Sequence, residues 1–234
     1  MIAISEVMLA AFLLTDIVLA GTGRLRQAIG LVAVQGWAVG LLPLFMWDWA
    51  NAGTPRIGVF AVAAVNALVK GCALPRLLAY TVQKVGARPE LEPLVGFRAS
   101  RIVVFAFAVA GFAASRTLGA ADVPGAALAI PVALTTMGTG LFLICARRKA
   151  VTQVLGFLVF ENGITVFGTG IMMEIGIVVE LGILLDVFVL AFLLGIAIFQ
   201  ISRTFASLDT DRLSTLGDVH LMHMRRNGGN GGAK

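Results

Sequence analysis

The chain has 234 residues, of which 59% are hydrophobic and 13% charged, with a mean hydropathy of +0.94. Soluble domains hold about 45–50% apolar and about 25% charged residues, so a single water-soluble core is excluded and an integral membrane protein is expected. The net charge of +5 then does not point to nucleic acid, because basic residues of membrane proteins collect in cytoplasmic loops.

A spanning helix needs about 20 mostly apolar residues, and the sequence offers seven such stretches. The first, Ile2–Leu19, carries Glu6 where a cleavable signal would carry Lys or Arg, so it is expected to be a retained span. Asp16 lies near its end, within reach of the membrane interface. The second is Gln27–Met46, followed by Trp47-Asp48-Trp49, an interfacial aromatic pair. The third, Arg56–Tyr80, is interrupted by Lys70, Pro75 and Arg76. After a polar loop come Ser100–Ala114, Pro124–Cys145, Thr152–Met173 and Ile175–Ile201. The tail from Ser202 is polar and ends in NGGNGGAK.

Loop charges orient these spans. With the N-terminus outside, the inner loops hold Arg24 and Arg26, then Lys84, Arg88, Arg98 and Arg101, then Arg147, Arg148 and Lys149, then the tail. The outer loops hold only Arg56 and Arg116. The positive-inside bias thus predicts an all-α, multi-pass bundle of about seven spans with a cytoplasmic C-terminus. We divide it into residues 1–121 (spans one to four), 122–202 (spans five to seven) and 203–234 (the tail). The link between spans six and seven is almost absent, so they are expected to be antiparallel neighbours.

No phosphate-binding loop, Ser/His/Asp set or Cys/His cluster is present. Cys72 and Cys145 fall on different spans, and His220 and His223 fall in the polar tail. The chain is therefore expected to hold no metal, cofactor or catalytic site of its own.

What stands out is charge inside the apolar stretches. Charged side chains at the centre of a spanning helix cost at least about 2.5–3.5 kcal/mol each and mark ion or proton routes. Glu161 lies about 13 Å into span six, and Glu180 and Asp186 lie about 8 and about 16 Å into span seven, at about 1.5 Å per residue. Lys70 sits well inside span three, with Asn66 one turn before it. These residues are the candidate proton-relay set: Glu161, Glu180, Asp186 and Lys70. The plainer alternative is interhelical glue, worth about 0.6 kcal/mol per hydrogen bond. Gly156 and Gly163 in span six would let neighbouring helices approach closely, or would let the span bend or form a π-bulge near Glu161.

Across this region the sequence resembles a known family. Arg147-Arg148-Lys149, Gln153, Gly156, Glu161-Asn162-Gly163, Glu180 to Asp186, and Leu208-Asp209-Thr210-Asp211-Arg212-Leu213 follow a pattern similar to the hydrogenase-4 component E family. That family comprises membrane subunits of formate-hydrogenlyase-type, group 4 [NiFe] hydrogenase complexes. Its second half is similar to the complex I K subunit and to the C subunit of cation/proton antiporters, where carboxylates on adjacent spans form part of a proton path. The resemblance implies a non-catalytic subunit in a bacterial or archaeal cytoplasmic membrane. Its partners would be antiporter-like and complex I-like membrane subunits and a peripheral hydrogenase or oxidoreductase module. On the same resemblance Glu161 and Glu180 take the positions of the path carboxylates. The alternatives are a purely structural scaffold and a cation/proton antiporter subunit.

Overall fold

The computed structural model describes residues 2–46, 57–85, 94–117, 126–147 and 150–171, together with Gly195. The chain divides into two units, Met1–Leu193 and Leu194–Lys234, and the helices named below belong to the first. In order they are α1 (Ile2–Gly21), α2 (Leu25–Met46), α3 (Ile57–Leu68), a π-helical turn (Val69–Ala73), α4 (Leu74–Val85), α5 (Phe97–Thr117), α6 (Ala126–Ala146) and α7 (Ala150–Ile171). Among the described residues, six helical segments are long and apolar enough to cross a membrane, with α3, the π-turn and α4 forming one of them. The protein is a helical membrane bundle. The expected seventh span, Ile175–Ile201, lies outside the described residues.

These helices follow from their composition. Ala, Leu, Ile and Val make up most of α1, α2 and α6, and in a bilayer a backbone can satisfy its polar groups only within a helix or a closed barrel. The boundaries fall at breakers. Gly21-Thr22-Gly23 ends α1, where the Thr22 amide turns back to the Leu19 carbonyl at 3.3 Å. α5 starts at Phe97, one turn earlier than the apolar pattern implied, so Arg98 and Arg101 stand within its first two turns. The Ser100 hydroxyl donates to the Val95 and Gly96 carbonyls there. Pro131 lies inside α6. Two hydroxyls on this helix donate to carbonyls four residues back, Thr135 to Pro131 at 2.7 Å and Thr139 to Thr135 at 2.8 Å, and the Thr136 hydroxyl oxygen lies 2.9 Å from the Val132 carbonyl.

The bundle is apolar on its outside as well as its inside. Ile4, Val7, Leu14 and Val18 are exposed on α1, and Ile102, Phe105, Val109 and Phe112 on α5. Each set repeats at helical spacing, as a face turned to lipid or to a membrane neighbour does. The buried core joins Leu9 and Phe12 of α1, Val39 and Leu42 of α2, Ala129, Val132 and Ala133 of α6, and Val166 of α7.

The tightest pair is α6 and α7, and glycine makes it so. A Cβ on Gly140 would lie 2.4 Å from the Phe160 amide nitrogen, one on Gly156 2.8 Å from that of Ile144, and one on Gly163 2.7 Å from that of Met137. The pairing runs antiparallel, with residues further along α7 meeting residues further back on α6. Small residues permit this closeness between membrane helices.

Candidate functional site

Five helical segments bring polar side chains to one region of the apolar bundle. The first group is built on the π-turn. Pro75 has no N–H to offer the carbonyls of Gly71 or Lys70. Just before it, bonding shifts to an i to i+5 pattern, with the Leu74 amide donating to the Val69 carbonyl. Such turns are frequent at functional sites. This one buries both Lys70 and Gly71. Lys70 Nζ lies 2.8 Å from Glu161 Oε1 on α7, with the two side chains only 3% and 1% exposed. The ammonium also donates to Thr165 Oγ1 at 3.0 Å. Thr165 sits one turn beyond Glu161 and its hydroxyl donates back to the Glu161 carbonyl at 3.0 Å. Lys70 and Glu161, expected from sequence as separate members of a relay set, are thus directly paired across 91 residues of chain.

The second group had no counterpart in the sequence reading. Asp16, expected to reach the membrane interface, is instead completely buried. Its Oδ1 accepts from Gln35 Nε2 of α2 and its Oδ2 from the Thr136 hydroxyl of α6, both at 2.8 Å. Gln35 Nε2 also donates to Thr15 Oγ1 at 2.9 Å, and Gln35 Oε1 is buried with no hydrogen-bond partner among the described residues. The correction has a simple cause. Ser5, Leu9, Phe12, Asp16 and Leu19 are all buried, and their spacing of four, three, four and three residues places them on one helical face. Asp16 faces the bundle because its stripe does, and an aspartate is too short to climb past another turn to the surface. That spacing was the signal available in the sequence.

Contacts between backbones link the two groups. Gln35 is followed by Gly36, whose Cβ, if it had one, would lie 2.2 Å from the Lys70 carbonyl oxygen. Thr136 is followed by Met137, which touches Gly163, two residues from Glu161. Asp16, Gln35 and Thr136, and Lys70, Glu161 and Thr165, are thus two buried polar groups joined through these backbone contacts, together a polar belt. Asn162 is also buried, beside Glu161.

At one end of the α6–α7 pair, Arg147 follows α6 directly and is 2% exposed. Its guanidinium lies over the Phe97 ring, 5.4 Å from the centroid, and neither Nη1 nor Nη2 has a hydrogen-bond partner among the described residues. Burial holds its pKa below the ordinary arginine value. Its carbonyl accepts from Gln153 Nε2 at 3.2 Å. Arg148, Lys149, Glu180, Asp186, His220 and His223 lie outside the described residues. Cys72 is half-buried and Cys145 exposed, both as free thiols. Among the described residues, no three His, Cys, Asp or Glu side chains come together to hold a metal ion.

No family model matches the chain, and no solved structure matches it. The chain is 30% identical over 202 residues to the protein named Uncharacterized protein Rv0085 of Mycobacterium tuberculosis, an alignment covering 83% of this chain and 87% of that one. With that identity over most of both chains, this protein belongs to the family of Rv0085.

Proposed function

We propose that the chain is a non-catalytic membrane subunit of a group 4 hydrogenase-like, complex I-related assembly, and that it carries protons driven by electron transfer in partner subunits. In this reading the chain spans the membrane seven times, with its N-terminus outside and its tail in the cytoplasm. Glu161 and Glu180 are relay carboxylates, Lys70 is the charge partner of Glu161, and Asp186 is a further link. Metals and electrons belong to the partners.

The observation that carries this reading is the Lys70–Glu161 pair, fully inside an apolar bundle at 2.8 Å. An ion pair at that depth is an expensive way to hold two helices together, because desolvation offsets most of the attraction. An ammonium that contacts both the carboxylate and the Thr165 hydroxyl keeps a partner when the carboxylate takes up a proton, so the pair can instead release and recapture one as the local field changes. The resemblance over residues 147–217 supports the choice of assembly.

The test is redox-driven proton uptake into inverted membrane vesicles. Glu161→Gln is expected to abolish or strongly reduce pumping while the subunits still copurify. Full pumping by that variant would overturn the relay. Native purification tests the assembly. Antiporter-like subunits and a nickel–iron large subunit are expected, whereas a chain that purifies alone as an active transporter would refute membership.

A further inference from the structure

The relay described above leaves one buried carboxylate unused. Asp16 has no cation facing it among the described residues. Its two oxygens are held by neutral donors from two other helices, Gln35 of α2 and Thr136 of α6. From α5 the charges that face α1 are Arg98 and Arg101. They line a groove with Ile17, and the Arg101 stem lies over Gly21, more than one turn from Asp16. α2 and α6 present no charge at this level.

A static role would need less. If Asp16 only joined three helices, asparagine or serine would do so without placing a carboxylate in an apolar interior, where a charge is costly. Gln35 adds a second observation. Its amide is almost fully buried, and among the described residues both its bonds use Nε2 and Oε1 has no partner. A buried acceptor of this kind can hold an internal water where the site has room and further polar partners. The residue after Gln35 is the glycine that lets α2 close on the Lys70 carbonyl.

We propose that Asp16 is a second proton-holding carboxylate of the belt, exchanging its proton with the Lys70–Glu161 pair around α2 through water bound at Gln35 Oε1. The proton leaves the Asp16 carboxyl, passes along the water, and arrives on the Glu161 carboxylate. Asp16 is then an anion held by Gln35 and Thr136, and Glu161 is neutral beside Lys70. The reverse transfer restores the first state. The path runs sideways through the bundle, from the first spans to α7, and carries the relay beyond the segment of closest family resemblance. This inference rests on the proton-carrying reading of the Glu161 site.

Infrared difference spectroscopy, with pH titration of the full-length chain purified with its accompanying subunits, tests it. Protonated carboxyls give a C=O stretch that vanishes on ionisation. Asp16→Asn is expected to lose one such titrating component, and Glu161→Gln a different one. An unchanged titration spectrum in Asp16→Asn would overturn the inference while leaving the Glu161 relay standing. No loss in Glu161→Gln would overturn the relay reading and this inference with it. Should Asp16→Asn fail to fold, Thr136→Val keeps the carboxyl and removes one donor to it. A frequency shift of a titrating component then supports the assignment, and an unshifted spectrum overturns it.

Discussion

Replacing Lys70 with Met gives the sharpest energetic test of the site. The side chains are similar in length, so the substitution removes the ammonium with little change in volume. Lys70 Nζ holds Glu161 at 2.8 Å and Thr165 at 3.0 Å, with both charged side chains under 4% exposed. Removing one partner of a buried pair leaves the other charge behind and costs about 3–5 kcal/mol. At about 1.4 kcal/mol per factor of ten, the unfolding equilibrium should shift by about two to three and a half orders of magnitude. Glu161→Gln should cost less, since an amide oxygen can still accept from Lys70. The double variant removes both charges and should recover much of the loss, because a neutral pair carries no desolvation debt. The assay is reversible unfolding in mixed micelles, with the four proteins forming a double-mutant cycle. A coupling no larger than the roughly 0.6 kcal/mol of an average interhelical hydrogen bond in a membrane protein would refute the argument. Lys70 and Glu161 would then be neutral glue.

Two further outcomes follow from packing. Gly36→Ala places a methyl 2.2 Å from the Lys70 carbonyl oxygen, so α2 must move off the π-turn, at a cost of about 1–3 kcal/mol as in other overpacked cores. Gly30→Ala, where nothing lies within 4 Å, should instead stabilise by about 0.5–1 kcal/mol. Thermal unfolding should move in opposite directions for the two, and equal shifts would remove the case for close helix approach at Gly36. Phe97→Leu should cost up to about 2 kcal/mol by uncovering a desolvated guanidinium, and the loss should shrink when Arg147 is also replaced by Met. An equal loss in both backgrounds would mean that the ring serves only as core.

Much of the fold was legible because a membrane simplifies the reading. Spans were expected at Ile2–Leu19 and Gln27–Met46, and helices stand at Ile2–Gly21 and Leu25–Met46. The apolar run that a bilayer requires is the same run that forms the helix. Boundaries slipped where polar residues continue a helix past its apolar part, as at Phe97-Arg98 before Ser100. Lys70 and Glu161 were visible because charge inside an apolar run is conspicuous. Their pairing was not, because nothing local ties residue 70 to residue 161. Asp16 was misplaced for a different reason. Distance from the helix end places Asp16 near the interface, whereas the face it shares with Leu9 and Phe12 decides its surroundings. Gln35 and Thr136 carry no charge, so span composition alone does not single them out. Only the tertiary arrangement places them on the carboxylate.

The site depends on backbone features at least as much as on its ionisable groups. Pro75 withholds an N–H, and the preceding turn widens to the π form that holds Lys70 and Gly71 inward. Gly36 lets α2 lie against the carbonyl of that turn, and Gly163 lets α7 lie against α6 one residue past Thr136. None of these three residues can take or give a proton. A side chain at Gly36 or Gly163 would collide with the neighbouring backbone, so these close approaches need glycine. Glue for a single helix pair could be supplied by any buried hydroxyl or amide, with no need for a widened turn. A π-turn beside a proline, a buried ammonium on it paired with a carboxylate, and glycines that let α2 and α7 close on their neighbours form a more demanding arrangement. That geometry supports reading the belt as one proton-handling unit shared by both halves of the bundle.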